Sequence, residues 1–196
     1  DVIVAGDVFQ TLARAQGVPL PTPQTVDRLP GGRVIVSHQS EDLRVILRDM
    51  MKYSNNMMAE AVGMAASLRA GVGSHAGSGR AMSDWAASVT GATHVRLFDH
   101  SGLAGASRVA PEDMVRALVT LGPGAGLRGL MKPVAIVDAK GRKVAGSPIR
   151  IDAKTGTLNF VSTLVGYVSG PGGRELAFAI FTGDVARRDA VPDSQR

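Results

Sequence analysis

Three runs near the end of the chain, residues 150–157, 161–169 and 175–182, alternate apolar and polar positions, and everything before them is patterned differently. Alternation with a period of two sends successive side chains to opposite faces of a strand. Asn159 and Gly170-Pro171-Gly172-Gly173 occupy the two joints, so the runs are expected to form an antiparallel meander. The earlier residues carry the helical period instead. Val4, Val8, Leu12 and Ala15 mark a helix over 2–16 that stops at Gly17. Leu43, Ile46, Leu47, Met50 and Met51 mark a second, opened by Ser40 as N-cap and running out near Tyr53. Further helices are expected over 57–68, over 79–89, and from Pro111 to Leu121, where Gly122-Pro123-Gly124 should stop the last. Between them lie a proline-rich connection (18–32), a short extended segment (33–38), a glycine-rich loop (71–79) and a turn (98–103). Helices first and hairpin strands last give an α+β fold, a helical cluster packed on an antiparallel sheet. Three strands alone would leave an unprotected sheet edge, so further strands that are absent from this chain are expected.

Composition narrows what such a fold can do. The 196 residues carry a net charge of +5, but the basic residues are scattered, and only Lys140-Gly141-Arg142-Lys143 and Arg187-Arg188 cluster. Nucleic-acid binders concentrate that charge on one face, so no nucleic-acid partner is expected. Without cysteine there is neither a disulfide framework nor a thiolate metal site. His38, His75, His94 and His100 show no ligand spacing, so neither metal nor cofactor is expected. No apolar run approaches the roughly 20 residues of a membrane-spanning helix. The first residues, Asp1-Val2-Ile3-Val4-Ala5, lack the pattern of a secretion signal.

Lys154-Thr155-Gly156-Thr157 carries the strongest chemical signal. It lies on the first of the three strand-like runs, and Ser54-Asn55-Asn56 falls between two helices far upstream. A Lys-Thr-Gly strand facing a Ser-x-Asn loop is the back half of a serine acyl-transfer site. Its front half is a Ser-x-x-Lys nucleophile, and no serine in this chain has a lysine three residues on. Each segment also has a plainer reading. Ser54-Asn55-Asn56 serves equally as a helix-to-helix turn, and Lys154 as an exposed strand lysine that discourages edge pairing. Ser101, in Asp99-His100-Ser101-Gly102, reads as a hydrogen-bonded turn and not as a nucleophile, because no base is in evidence beside it. Met50, Met51, Met57, Met58 and Met64 read as core fillers.

Taken together, these segments resemble the class C low-molecular-mass penicillin-binding proteins, the D-alanyl-D-alanine carboxypeptidases and endopeptidases of the penicillin-binding protein 4 type. Met51-Lys52-Tyr53-Ser54-Asn55-Asn56-Met57-Met58-Ala59-Glu60 is similar to the family's Ser-x-Asn-x-x-Ala-Glu segment. Asp99-His100-Ser101-Gly102-Leu103, followed by Arg108-Val109-Ala110-Pro111, resembles its Asp-Gly-Ser-Gly-Leu stretch, with His100 where the family usually has glycine. Asp152-Ala153-Lys154-Thr155-Gly156-Thr157-Leu158 resembles its Ala-Lys-Thr-Gly-Thr-Leu block. The tail from Asp184 to Ala190 resembles the start of the family's closing helix, cut short by Pro192.

The resemblance implies a penicillin-binding protein/β-lactamase-like fold. Residues 1–196 would be the C-terminal part of a transpeptidase-like catalytic domain, whose N-terminal portion carries the nucleophile. It implies hydrolysis of the D-Ala-D-Ala bond of peptidoglycan stem peptides through an acyl-serine, with β-lactams as inhibitors. It also implies a periplasmic or extracytoplasmic, wall-associated location. Ser54, Asn56 and Lys154 would be catalytic: Ser54 relaying a proton toward the leaving amine, Asn56 donating its amide to the substrate or to the base lysine, and Lys154 supplying positive charge. Thr155, Gly156 and Thr157 would bind substrate, the two threonine hydroxyls at the terminal carboxylate and the Thr157 backbone N–H in the oxyanion hole. A wall-binding relative without catalysis, or a β-lactamase, would share some of these segments.

Overall fold

The computed structural model describes residues 2–28 and 30–191. Pro192 lies outside the described residues. The chain divides into two compact units, Asp1–Ser40 and Glu41–Arg196.

In the first unit, α1 (Val2–Ala15) is followed by a proline-rich stretch without regular secondary structure. The Gln10 side chain donates to the Leu20 carbonyl at 2.9 Å, and Gly6 lies against Pro23 so closely that a Cβ there would come within 2.6 Å. The segment 33–38, expected to be extended, has no regular secondary structure and lies in no sheet, with Val34, Ile35 and Val36 exposed.

The second unit contains α2 (Leu43–Tyr53), α3 (Asn56–Arg69), α4 (His75–Thr90), a two-stranded ribbon of β1 (Val95–Arg96) and β2 (Arg108–Val109), and α5 (Pro111–Ala125). A 3₁₀ turn (Leu127–Leu130) leads into an antiparallel sheet of β3 (Lys132–Val134), β4 (Arg150–Leu158), β5 (Val161–Ser169) and β6 (Glu175–Gly183), before the short α6 (Val185–Asp189). The sheet order is β3-β4-β5-β6, so the three expected strands form the expected meander, and helices precede them.

Three local expectations need correction. Ser40 does not cap α2; Asp42 takes that position and makes no side-chain cap. The loop ends at Ser74, whose side chain accepts from Gly77 N at 3.1 Å and starts α4 inside the glycine-rich stretch. Glycine is needed there because Gly79 is buried against the Leu97 carbonyl and Phe98 backbone, where a Cβ would sit at 2.8–2.9 Å. Finally, α5 does not stop at Gly122-Pro123-Gly124 but continues to Ala125 and ends on Gly126 in the left-handed conformation. Gly122 is held in the helix by direct approach to the Tyr167 hydroxyl, and Arg44 caps the last turn by donating to the Ala125 and Gly126 carbonyls, both at 3.2 Å.

Tyr167 organises the interface between α5 and the sheet. Its hydroxyl donates to the Leu118 carbonyl at 2.8 Å, and both residues are buried. The register pairs Tyr167 with Asp152, Val165 with Lys154 and Thr163 with Gly156. Strand alternation therefore puts Asp152, Lys154 and Gly156 on the sheet face that bears Tyr167.

Candidate active site

Ser54 stands where α2 ends and α3 begins. Its φ and ψ of 51° and 47° make it the one non-glycine residue with positive φ among those described. Its N–H still bonds to the Met50 carbonyl, so the residue forms a left-handed helix C-cap, a position that ordinarily favours glycine. Asn55 then caps α3, its side chain accepting from Met58 N at 3.0 Å. The helix-to-helix reading of Ser54-Asn55-Asn56 is thus correct for the backbone, and Asn55 does the capping. A serine held in this sparsely populated region, where glycine would be easier, points to a use for its hydroxyl.

That hydroxyl meets Lys154. The Lys154 Nζ donates to Ser54 Oγ at 2.6 Å across 100 residues of sequence, and also to the Thr155 carbonyl. Burial lowers the Lys154 pKa from its ordinary value, because partial removal from water disfavours the ammonium. Asn56 is the first residue of α3 and is exposed. Thr155 and Thr157 are exposed on β4, on the opposite strand face from Lys154. Gly156 has a packing reason too: a Cβ there would come within 2.5 Å of Thr163 Oγ1. β3 pairs with β4 only over Ile151, Asp152 and Ala153. Beyond them, the β4 edge from Lys154 to Leu158 has no strand partner on that side among the described residues.

Two residues before Lys154 on the same strand lies a charge cluster. Asp152 is buried, and its carboxylate takes Arg128 Nε at 2.6 Å and Arg150 Nε at 2.8 Å. Arg128 also reaches Ser169 Oγ at 2.9 Å and pairs with Glu175. Burial pushes the Asp152 pKa upward, but the bonds from Arg128 and Arg150 outweigh it and the net direction is down. The sequence reading missed this cluster. A carboxylate at an alternate strand position beside Lys154 was the available signal, although its arginine partner at 128 follows only from the fold.

A second polar assembly surrounds the 98–103 turn. Glu60 accepts from Ser101 N at 2.9 Å and His100 N at 3.2 Å, and pairs with His75 Nε2 at 2.9 Å. Ser101 Oγ donates to Asp99 Oδ2 at 2.9 Å, which is the hydrogen-bonded turn expected of it. His100 lies against Gly63 and shares a 2.7 Å hydrogen bond between its Nε2 and the buried Ser78 Oγ.

One group of three described residues has metal-ligating atoms close together: His94, Glu112 and Asp113, within 4.8 Å of one another. The sequence spacing gave no sign of it. Asp113 Oδ2 already accepts from Thr93 N and His94 N at 3.2 and 2.7 Å, which ties β1's approach to the start of α5.

With this geometry in hand, the relatives are informative. Residues 2–195 match the family model described as "D-Ala-D-Ala carboxypeptidase 3 (S13) family". The chain is 30% identical over 196 residues to carboxypeptidase DacB of Mycolicibacterium smegmatis, covering 90% of this chain and 41% of that protein. It is 30% identical over 199 residues to the D-alanyl-D-alanine carboxypeptidase of Actinomadura sp. (strain R39), covering 90% of this chain and 36% of that protein. It thus spans less than half the length of either relative. The crystal structure of penicillin binding protein 4 (dacB) from Haemophilus influenzae superposes with a TM-score of 0.69 at 22% identity, covering 92% of this chain and 44% of that one. The same protein complexed with a β-lactam gives 0.65 at 23% identity, covering 93% and 46%. These structures share the fold of helices packed on an antiparallel sheet, and by its sequence the chain belongs to the D-Ala-D-Ala carboxypeptidase 3 (S13) family.

Proposed function

We propose that this chain is the C-terminal part of a serine D-alanyl-D-alanine carboxypeptidase and endopeptidase, which cleaves peptidoglycan stem peptides outside the cytoplasmic membrane. The observation that carries this reading is the 2.6 Å contact of Lys154 Nζ with Ser54 Oγ, two groups from distant segments meeting beside an open strand edge. The free serine hydroxyl is a weak nucleophile and needs an adjacent base. Both belong to the part of the parent protein that precedes this chain. Lys154 supplies positive charge that favours a neutral base lysine nearby and stabilises the developing oxyanion. Ser54, already bonded to Lys154, relays a proton toward the departing D-alanine amine, and Asn56 orients the substrate amide. The substrate lies along the free edge of β4, with Thr155 and Thr157 hydroxyls at its terminal carboxylate and the Thr157 N–H as an oxyanion donor. A β-lactam resembles the D-Ala-D-Ala amide and would be trapped at the acyl stage.

The test is covalent labelling of the full-length parent with a fluorescent penicillin, read by intact mass and peptide mapping. One adduct is expected, on a serine outside residues 1–196 that has a lysine three residues on. Lys154→Ala should slow labelling by about a hundredfold, the scale of losing one electrostatic stabiliser. An unlabelled parent would favour the wall-binding relative without catalysis. An adduct on Ser54 or Ser101 would overturn the assignment of roles.

A further inference from the structure

Residues Asn56, Glu60, Gly63 and Ser67 follow one another on α3 at intervals of four, three and four, so they form a single stripe along the helix. Three of the four grip the same neighbouring structure. Glu60 accepts the Ser101 N–H at 2.9 Å and the His100 N–H at 3.2–3.3 Å. Gly63 admits the His100 ring, which no side chain there would allow. Ser67 bonds to the buried Ser78 of α4, and Ser78 Oγ bonds in turn to His100 Nε2 at 2.7 Å. The turn itself is rigid, since Asp99 Oδ2 takes the Ser101 hydroxyl at 2.9 Å and the Ala104 N–H at 2.8 Å. The fourth member of the stripe is Asn56, two residues after Ser54.

We infer that Glu60 is a positioning residue of the acyl-transfer site: by clamping the two turn N–H groups it fixes the rotation of α3 about its axis, and so the placement of Ser54 and Asn56. A helix held at one point can roll. Held along a stripe by Glu60, Gly63 and Ser67, it cannot roll without leaving the His100 and Ser101 N–H groups unpaired. Ser54, in the left-handed conformation, is separated from that helix only by its cap Asn55, so a small roll moves its hydroxyl relative to Lys154. His75, on the other carboxylate oxygen at 2.9 Å, orients Glu60 toward the turn. Burial pushes the Glu60 carboxyl upward, but the bonds from Ser101 and His100 and the charge of His75 bring its net pKa below the ordinary range, so the carboxylate is the form that clamps. The inference rests on the acyl-serine reading above.

The experiment uses the full-length parent and measures the rate constant and the amplitude of labelling by fluorescent penicillin separately. Glu60→Ala should lower the acylation rate constant at least about tenfold at unchanged amplitude per folded molecule, since misplacement by an ångström costs up to about a hundredfold. Glu60→Gln keeps an oxygen that can accept both N–H groups and should restore the rate to within about threefold. Glu60→Asp keeps the charge but is one methylene short, and should stay slower than wild type by about threefold or more even if the alanine variant does not fold. Wild-type rate constants in the alanine or aspartate variant, with any loss confined to amplitude, would show that Glu60 only stabilises the fold. An unlabelled wild-type parent would instead remove the acyl-serine reading, a separate failure.

Discussion

Ser54 combines two demands that conflict at a single residue. Its backbone sits in the left-handed region, at a cost of about 1 kcal/mol for a side chain with a Cβ, while its hydroxyl must reach Lys154. Glycine would satisfy the backbone and lose the hydroxyl. Ser54→Gly should therefore raise stability toward chemical denaturation by up to about 1 kcal/mol while depressing penicillin labelling of the full-length protein. Ser54→Ala keeps the strain and should lose labelling with no gain in stability. If urea unfolding finds the glycine variant less stable than the alanine variant, the strain argument fails. Lys154 is a similar compromise, since its partial burial disfavours the charge that its proposed role uses.

At the scale of elements, Tyr167 of β5 reaches α5 at Leu118 and Gly122 and helps hold that helix on the sheet. Gly122 and Tyr167 meet with no room for a methyl group, and the Tyr167 hydroxyl also donates to the Leu118 carbonyl. Gly122→Ala should destabilise by about 1–3 kcal/mol through overpacking. Tyr167→Phe should cost about 1 kcal/mol through its lost hydrogen bond. In the double variant the colliding oxygen is gone, so the combined loss should be smaller than the sum of the two. Additive losses in a double-mutant cycle would mean that the two residues do not collide in the folded protein. The same contact accounts for the course of α5 through Pro123: propensity opposes the helix there, while packing of Gly122 and the Arg44 cap require it.

For the whole molecule, four carboxylates contribute to the acid limit: Asp138, lowered by hydrogen bonds from Arg142 and Lys140, and three that are packed into the body of the fold. Glu60, Asp99 and Asp152 are each raised by burial, yet hydrogen bonds, and for Glu60 and Asp152 neighbouring positive charge, bring all three below their ordinary values of 4.5, 3.8 and 3.8. A carboxylate with a depressed folded pKa releases its proton more readily when folded. Between the two pKa values the unfolded chain therefore binds more protons, and stability rises with pH. The contribution is complete above the ordinary values and disappears as pH falls through the folded ones. The melting temperature should thus be level from about pH 7 to 5 and fall below about 4.5, with a shallower fall in Asp152→Asn. A melting temperature that rises on acidification from pH 5 to 3 would contradict the assignment. The proposed chemistry sets a second expectation at this scale. Acylation needs serine and base together, and loss of either removes most of the acceleration. The isolated chain should form no stable penicilloyl adduct, and supplying the upstream segment should restore labelling, both readable by intact mass.

The sequence by itself marked the main helices ahead of the strands, the antiparallel meander, and Ser54, Asn56 and Lys154 as candidates, because each is written locally in hydrophobic period, turn residues or a short motif. It could not give the end of α5, since the glycines and proline there obey Tyr167 and Arg44, which are remote in sequence. Nor could it give the start of α4, where the close approach of Gly79 to the Leu97–Phe98 backbone overrides the usual reading of glycine as a break. β3 and the β1–β2 ribbon are two or three residues long, too short to carry a period. Only the tertiary structure decided which charges are brought together: Asp152 with Arg128 and Arg150, and Glu60 with His75 and the turn N–H groups. Such pairs lower their own desolvation cost only when the fold brings them into contact, and no local pattern records that.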